Sequence, residues 1–385
     1  MQWILCIFFV VCSGYAQEDP VILTLGESGP YSLVERSNFS RFDNGVYIGH
    51  LYREVRALLS SEPAADTQLY RGNFYIMEET LRDMTQSARS VSAVIPVYFE
   101  IHSNGHLTID EDRGFPALRG FPTVPEKALA PGSRWTAPGD RAVDPLDTGV
   151  ATIIPFTAGY EYKGIELYQN IPIHRIKSRY TIRYTGALKL TGTHDVDILL
   201  RVADGSLLFM RDVLDETFSF PDASTRRLRG FTLTFGQGSV PLDRDSTVII
   251  LEKIVEEPRP EKELPPDIAV VTIPEGIKLI IQDLQFMPDL DRILPAERPR
   301  LDAISEALKQ IPDRIFLVEG HTAGSSDGIK LSTQRAQRVV EEMVARGIPA
   351  DRFLYKGWGN TRPVADNDTT AGRARNRRVE ITILD

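Results

Sequence analysis

The sequence predicts a multidomain chain in which a mostly antiparallel β region precedes an α+β sandwich, and three observations carry that reading. Hairpin signals punctuate the N-terminal part: Asp43-Asn44-Gly45, Ser103-Asn104-Gly105 and Ala203-Asp204-Gly205, each between apolar stretches able to pair. A Pro/Glu-rich spacer at 256–267 then offers too little apolar surface to pack and enough proline to stay extended. Beyond it, apolar residues recur at helical spacing between short apolar runs. A length of 385 residues, 42% apolar and 25% charged, suits two or three domains that each bury a core.

The first element is an apolar run, Ile4 to Val11, followed by Ser13-Gly14-Tyr15-Ala16. It is predicted as a secretory signal at 1–16, roughly half the ~20 residues that a spanning helix needs. Cleavage after Ala16 removes Cys6 and Cys12 and leaves a chain without cysteine, held together by neither disulfides nor thiol chemistry. A rival reading lipidates Cys12, but Val11 stands where lipoprotein signals carry a small residue. The expected destination is the periplasm or the periplasmic face of an outer membrane.

Residues 17–255 form the β-rich region. Asn-Gly and Asp-Gly supply the positive φ angles of tight hairpins. Tyr180-Thr181-Ile182-Arg183-Tyr184 and Phe231-Thr232-Leu233-Thr234-Phe235 alternate as strands with one face in a core do. The pattern fits a barrel or sandwiches, and a break in the Gly/Pro-rich stretch near 114–147 would make two β units. Charged residues on many strands, without a regular lipid-facing alternation, predict a soluble region. His102 and His106 flank one turn and provide two metal ligands at most, short of the three or four a zinc site wants. Trp135, Tyr160, Tyr162, Tyr168, Tyr180 and Tyr184 fit cross-strand packing better than an aromatic binding face.

From residue 268 the period changes. Leu279 to Phe286 and Ile315 to Val318 are expected strands; Leu301, Ile304, Leu308 and Ile311 mark a helix after Pro299. Ala336, Val339, Val340, Met343 and Val344 share a second helical face, with Ser332 as N-cap and Gly347 as stop. Phe353-Leu354-Tyr355 and Val379 to Ile383 supply the remaining strands. This segment holds 17 basic and 17 acidic residues, so the chain's net charge of −9 lies entirely before it. An acidic or neutral surface excludes nucleic acid as the main partner.

Three ordered blocks, Gly320-His321-Thr322, Leu331-Ser332-Thr333-Gln334-Arg335-Ala336 and Gly372 to Glu380 with Asn376-Arg377-Arg378, resemble the OmpA-like, peptidoglycan-associating domain family over about 268–385. The resemblance implies an α+β sandwich that clasps the peptidoglycan stem peptide. It assigns Arg335 to the carboxylate of the diamino acid, where a guanidinium makes charge-assisted bonds, with Thr322 and Ser332 nearby. Arg335 is also expected in the first turn of the Ser332 helix, where the helix dipole disfavours a cation unless an anion joins it. His321, Asn376, Arg377 and Arg378 are expected to be structural. Two positions depart from the family: Ala323 stands where an Asp would take the ammonium, and Gly328 where an Asn is usual. Asp327, the sole acid between Ala323 and Arg335, is the candidate replacement.

Gly-x-Ser-x-Gly, His-Glu-x-x-His and P-loop patterns are missing, so neither catalytic residue nor cofactor is nominated. The leading expectation is a non-catalytic envelope protein that associates with peptidoglycan, or a diverged form of one. The alternatives are a structural or protein-docking module whose function lies in the β region, with other envelope proteins as partners, and an enzyme acting on envelope polymers.

Overall fold

A computed structural model of the chain describes residues 20–26, 29–65, 67–80, 89–145, 148, 150–186, 188–238, 242–256, 268–287, 290–311, 313–324 and 328–384. The expected signal at 1–16, with Cys6 and Cys12, lies outside these, as do Asp327 and all of the spacer but Glu256.

The strands of the N-terminal part are β1 (Gly29–Asp43), β2 (Val46–Ala64), β3 (Thr67–Thr80), β4 (Arg89–Ser90), β5 (Ala93–His102), β6 (Leu107–Ile109), β7 (Leu118–Arg119), β8 (Arg134–Val143), β9 (Thr152–Tyr168), β10 (Ile171–Thr185), β11 (Lys189–Arg201), β12 (Leu207–Ser219) and β13 (Thr225–Gly238). All except β4 join one 12-stranded sheet in the order β6-β5-β3-β2-β1-β13-β12-β11-β10-β9-β8-β7. First and last strands pair in its middle, so the sheet curls into a nearly closed barrel whose seam falls between β6 and β7. The three hairpin signals all sit at turns, with Gly45, Gly105 and Gly205 at φ +81°, +94° and +73°. Within the stretch near 114–147, β7 and β8 pair with each other and β8 pairs with β9 in the same sheet.

Alternation sets which face is wet. Along β11, Leu190, Val196 and Ile198 point into the barrel while Lys189, Thr191, Thr193 and Asp195 are exposed. Charged outside and apolar inside is the reverse of a lipid-facing barrel. Inside, Tyr160, Tyr162 and Tyr180 are core residues, and Trp135 stacks on Tyr160 at 5.1 Å. His102 and His106 lie 5.6 Å apart across their turn.

Helix α1 (Arg244–Glu256) falls in the stretch expected to be β-rich, yet its Leu251 is fully buried in the C-terminal core. That core packs α1, α2 (Arg298–Lys309) and α3 (Gly328–Ala345) on a sheet of β14 (Ile268–Ile273), β15 (Gly276–Gln282), β16 (Phe316–His321), β17 (Phe353–Gly359) and β18 (Arg378–Leu384). The short helix α4 (Thr370–Asn376) leads into β18. The sheet order is β14-β15-β18-β16-β17-β4; β16 and β17 run parallel across the α3 crossover. The expected strand through Phe286 stops at Gln282, because Asp283 turns to φ +49°.

The last sheet position belongs to the N-terminal region. β4 adds to β17, with Val91 N donating to Tyr355 O at 2.9 Å. Tyr75 and Met77 on the outer wall of the barrel pack with Val91 against Leu317, Leu354 and Leu384. Each such buried side chain contributes about 2 kcal/mol. Arg56 donates to Asp351 O at 3.1 Å, and Glu54 beside it is held by Arg56, Arg89, Arg36 and Tyr52. The spacer thus connects regions that are also joined side by side.

Candidate functional site

A cleft of about 380 Å³ opens between the C-terminal end of β16, the start of β18, α3 and the turn after β15; its charged and aromatic walls are Asp283, Phe286, His321, Arg335, Arg377 and Arg378. A close approach shapes it. A Cβ on Gly320 would lie 2.2 Å from Ser332 O, so only glycine lets α3 sit this near β16. Ser332 is fully buried; its hydroxyl donates to Ile329 O at 2.9 Å and accepts from Gly359 N at 2.9 Å. It ties helix to strand and is not an N-cap, because α3 begins at Gly328, four residues earlier than expected. Arg335 therefore stands beyond the first turn, and the expected clash with the helix dipole does not arise.

Arg335 lies over the Phe286 ring at 4.8 Å and donates from Nε to Leu290 O at 3.2 Å. The buried Glu319 accepts from Trp358 Nε1 at 2.7 Å and lies 3.6 Å from Lys278 and 3.7 Å from Arg362. Arg377 is exposed, 3.9 Å from Asp283. Arg378 is buried, its Nε donating to Glu380 at 2.6 Å and one terminal nitrogen to Arg362 O at 3.2 Å. Its other terminal nitrogen has no hydrogen-bond partner among the described residues.

His321 lines the cleft. It is 4% exposed, and neither ring nitrogen has a hydrogen-bond partner among the described residues; the nearest carboxylate, Glu380, is 3.8 Å away. Burial first, and then the Arg378 charge, lowers its pKa to about 4, so the ring is neutral at pH 7. Thr322 holds the strand end by donating N–H to Gly359 O at 2.8 Å, while its buried hydroxyl has no partner among the described residues. Buried polar atoms without partners are rare in native proteins, and both ring nitrogens of His321 and one terminal nitrogen of Arg378 are such atoms in the lining of this cleft.

Asn376 is structural in its geometry. Its oxygen accepts from Val364 N and Ala365 N at 2.8 and 3.0 Å, and its amide donates to Ala365 O and Asn367 Oδ1 at 2.7 and 2.8 Å. Thr369 caps α4, accepting from Gly372 N at 2.9 Å. Ala323 carries only a methyl group, and Gly328 opens α3. The described charges of the cleft are Arg335, Arg377 and Arg378 against Asp283, which suits an anion.

A second polar constellation, absent from the sequence reading, lies inside the barrel. His194 Nδ1 is 2.9 Å from Asp212 and its Nε2 is 3.1 Å from Glu216; Glu216 also pairs with Arg141, and Tyr180 stacks on the imidazole at 4.1 Å. Burial pulls the His194 pKa down, but the bonds to Asp212 and Glu216 outweigh it and raise it overall. The signal was a run of polar residues at inward positions, Asp212 and Glu216 among Met210, Leu214 and Phe218.

The C-terminal segment contains an OmpA-like domain: residues 285–377 match the OmpA family. They are similar to the peptidoglycan-binding protein ArfA of Mycobacterium tuberculosis, 39% identical over 103 residues, covering 26% of this chain and 32% of that protein. The outer-membrane lipoprotein YfiB of Pseudomonas aeruginosa is 40% identical over 101 residues, covering 26% of this chain and 60% of that one. The chain thus spans about a third to three-fifths of these relatives' length. Among solved structures, the cell wall anchor of the T6SS from Pseudomonas aeruginosa is 29% identical, covering 37% of this chain and 99% of that chain at a TM-score of 0.32.

Proposed function

We propose that this is an exported, non-catalytic envelope protein, acting in the periplasm or at the periplasmic face of an outer membrane, whose C-terminal domain associates with peptidoglycan. The cleft between α3 and β18 takes a carboxylate of the stem peptide. Arg335 supplies a guanidinium from one wall, and Arg378 and His321 supply buried polar atoms from the other. The observation that carries this reading is the pair His321 and Arg378, whose buried nitrogens have no hydrogen-bond partner among the described residues, in one cleft with Arg335 and Arg377. With Ala323 in place of an acid, grip comes from the carboxylate side alone, and recognition of an ammonium rests on Asp327. Similarity to proteins named for peptidoglycan binding supports the same reading.

Co-sedimentation of the whole chain with purified sacculi tests it. Wild type pellets, and Arg335→Ala remains in the supernatant. Equal pelleting by both chains removes the cleft from wall binding.

A second reading makes the domain a structural module docked on the barrel. The added strand β4 and the buried contact of Tyr75 and Met77 with Leu317 and Leu354 favour it. No residue of that contact lines the cleft, so the two roles are compatible.

A further inference from the structure

The end of the barrel that carries the 202–206 turn contains a chamber of about 170 Å³, lined by Tyr31, Leu59, Tyr70, Phe99, Leu118 and Leu207 among others. None of its described lining residues is charged. A dry, apolar cavity of about 150 Å³ accepts a benzene-sized apolar molecule, so this one has room for a slender hydrocarbon. Its floor is aromatic: Phe121 lies 5.5 Å from Tyr160 and 5.4 Å from Tyr180. Tyr180 in turn covers His194, so an apolar guest meets ring faces and not the buried charges beyond them.

A second observation concerns the rim. The β9–β10 hairpin at the same end presents Ile165, Leu167, Tyr168 and Ile171 to solvent, with Leu167 73% exposed. It is joined to the mouth directly, because Val202 N donates to Pro172 O at 3.1 Å and the turn that follows contributes Gly205 and Ser206 to the chamber wall. Contiguous exposed apolar side chains mark contact with another apolar surface. Further along, β10 and β11 turn Arg179, Arg183, Lys189 and Asp195 outward.

We propose that the chamber accepts the end of a lipid acyl chain, with the polar headgroup left outside at the apolar rim. The absence of charge among the described lining residues sets that orientation, because burying a charged headgroup against them would leave it unpaired.

Fluorescence titration of the full chain with cis-parinaric acid tests this, using lauric acid and phosphatidylcholine vesicles as competitors. The probe binds saturably at one site per chain and is displaced. Leu107→Trp and Leu118→Trp, each filling the chamber from a different strand, bind at least about tenfold more weakly while keeping the wild-type melting curve. Displacement by lauric acid alone identifies a free fatty acid as the source of the chain; displacement by the vesicles as well identifies membrane lipid. The proposal is overturned by an unsaturable signal, by a signal that neither competitor displaces, or by wild-type titrations from both folded variants.

Discussion

His194 in the barrel and His321 in the C-terminal domain are both buried, and their surroundings are opposite. His194 has a carboxylate on each nitrogen and a raised pKa; His321 has no hydrogen bond among the described residues and a pKa lowered to about 4. A satisfied imidazole locks strands together, as its bridge from β11 to Asp212 and Glu216 on β12 does. One left without partners beside arginines costs stability unless something else in that place repays it. Burial alone therefore separates neither structure from function; the state of the polar atoms does.

The largest expected effect breaks the satisfied side of the comparison. Arg141→Ala leaves the buried Glu216 without its guanidinium, with only His194 beside it, and lowers stability by about 3–5 kcal/mol, read as a fall in the denaturant midpoint of the barrel's β signal. A change below about 1 kcal/mol would mean that water already reaches the cluster.

The pH dependences of the two histidines have opposite signs. The fold favours protonated His194, so its contribution is complete below the ordinary value of 6.5 and is lost as pH rises through the raised folded value. His321 is held neutral: between 6.5 and about 4 the unfolded chain takes up a proton that the folded chain refuses. Its contribution is present above 6.5 and lost as pH falls, by on the order of 3 kcal/mol. His321→Gln should flatten the acid limb of a stability–pH curve and leave the alkaline limb alone; His194→Gln should do the reverse. Two variants with the same curve would refute the contrast.

At the cleft, Arg335→Lys keeps the charge but loses the planar fork and the stacking on Phe286, so sacculus affinity should drop about tenfold. Binding that tracks charge alone, with no loss in the lysine variant, would replace bidentate recognition by a diffuse field. The smallest effect expected is from Thr369→Ala, about 1 kcal/mol from the lost α4 cap with sacculus binding retained. This variant separates loss of stability from loss of the ligand.

Much of this architecture is legible in the sequence because it is local. Asn44-Gly45 and Asp204-Gly205 state their hairpins outright, and Ala336, Val339, Val340 and Met343 state the buried face of α3. Ser332 was misread for a local reason too. It resembles a cap, yet it lies four residues before Ala336 on the same face, which places it inside the helix. His194 was missed because its partners come from another strand, although its alternation with Leu190, Val196 and Ile198 marks an inward polar residue. The contact between the regions was illegible: Arg89-Ser90 is too short to announce a strand, and its partner β17 begins at Phe353. The spacer's composition says how it joins the regions in sequence and nothing of how they meet in space.

Strand β4 also limits how this domain can be inherited. Excised at residue 268, the C-terminal unit would carry β17 as an uncovered sheet edge and leave Leu317, Leu354 and Leu384 without the barrel wall that buries them. Bare edges beside apolar patches invite pairing between copies. The segment as it stands in this chain therefore depends on that cover. Recombination that moves it into another gene must bring Arg89–Ser90 and the β3 surface along, or supply a substitute cover.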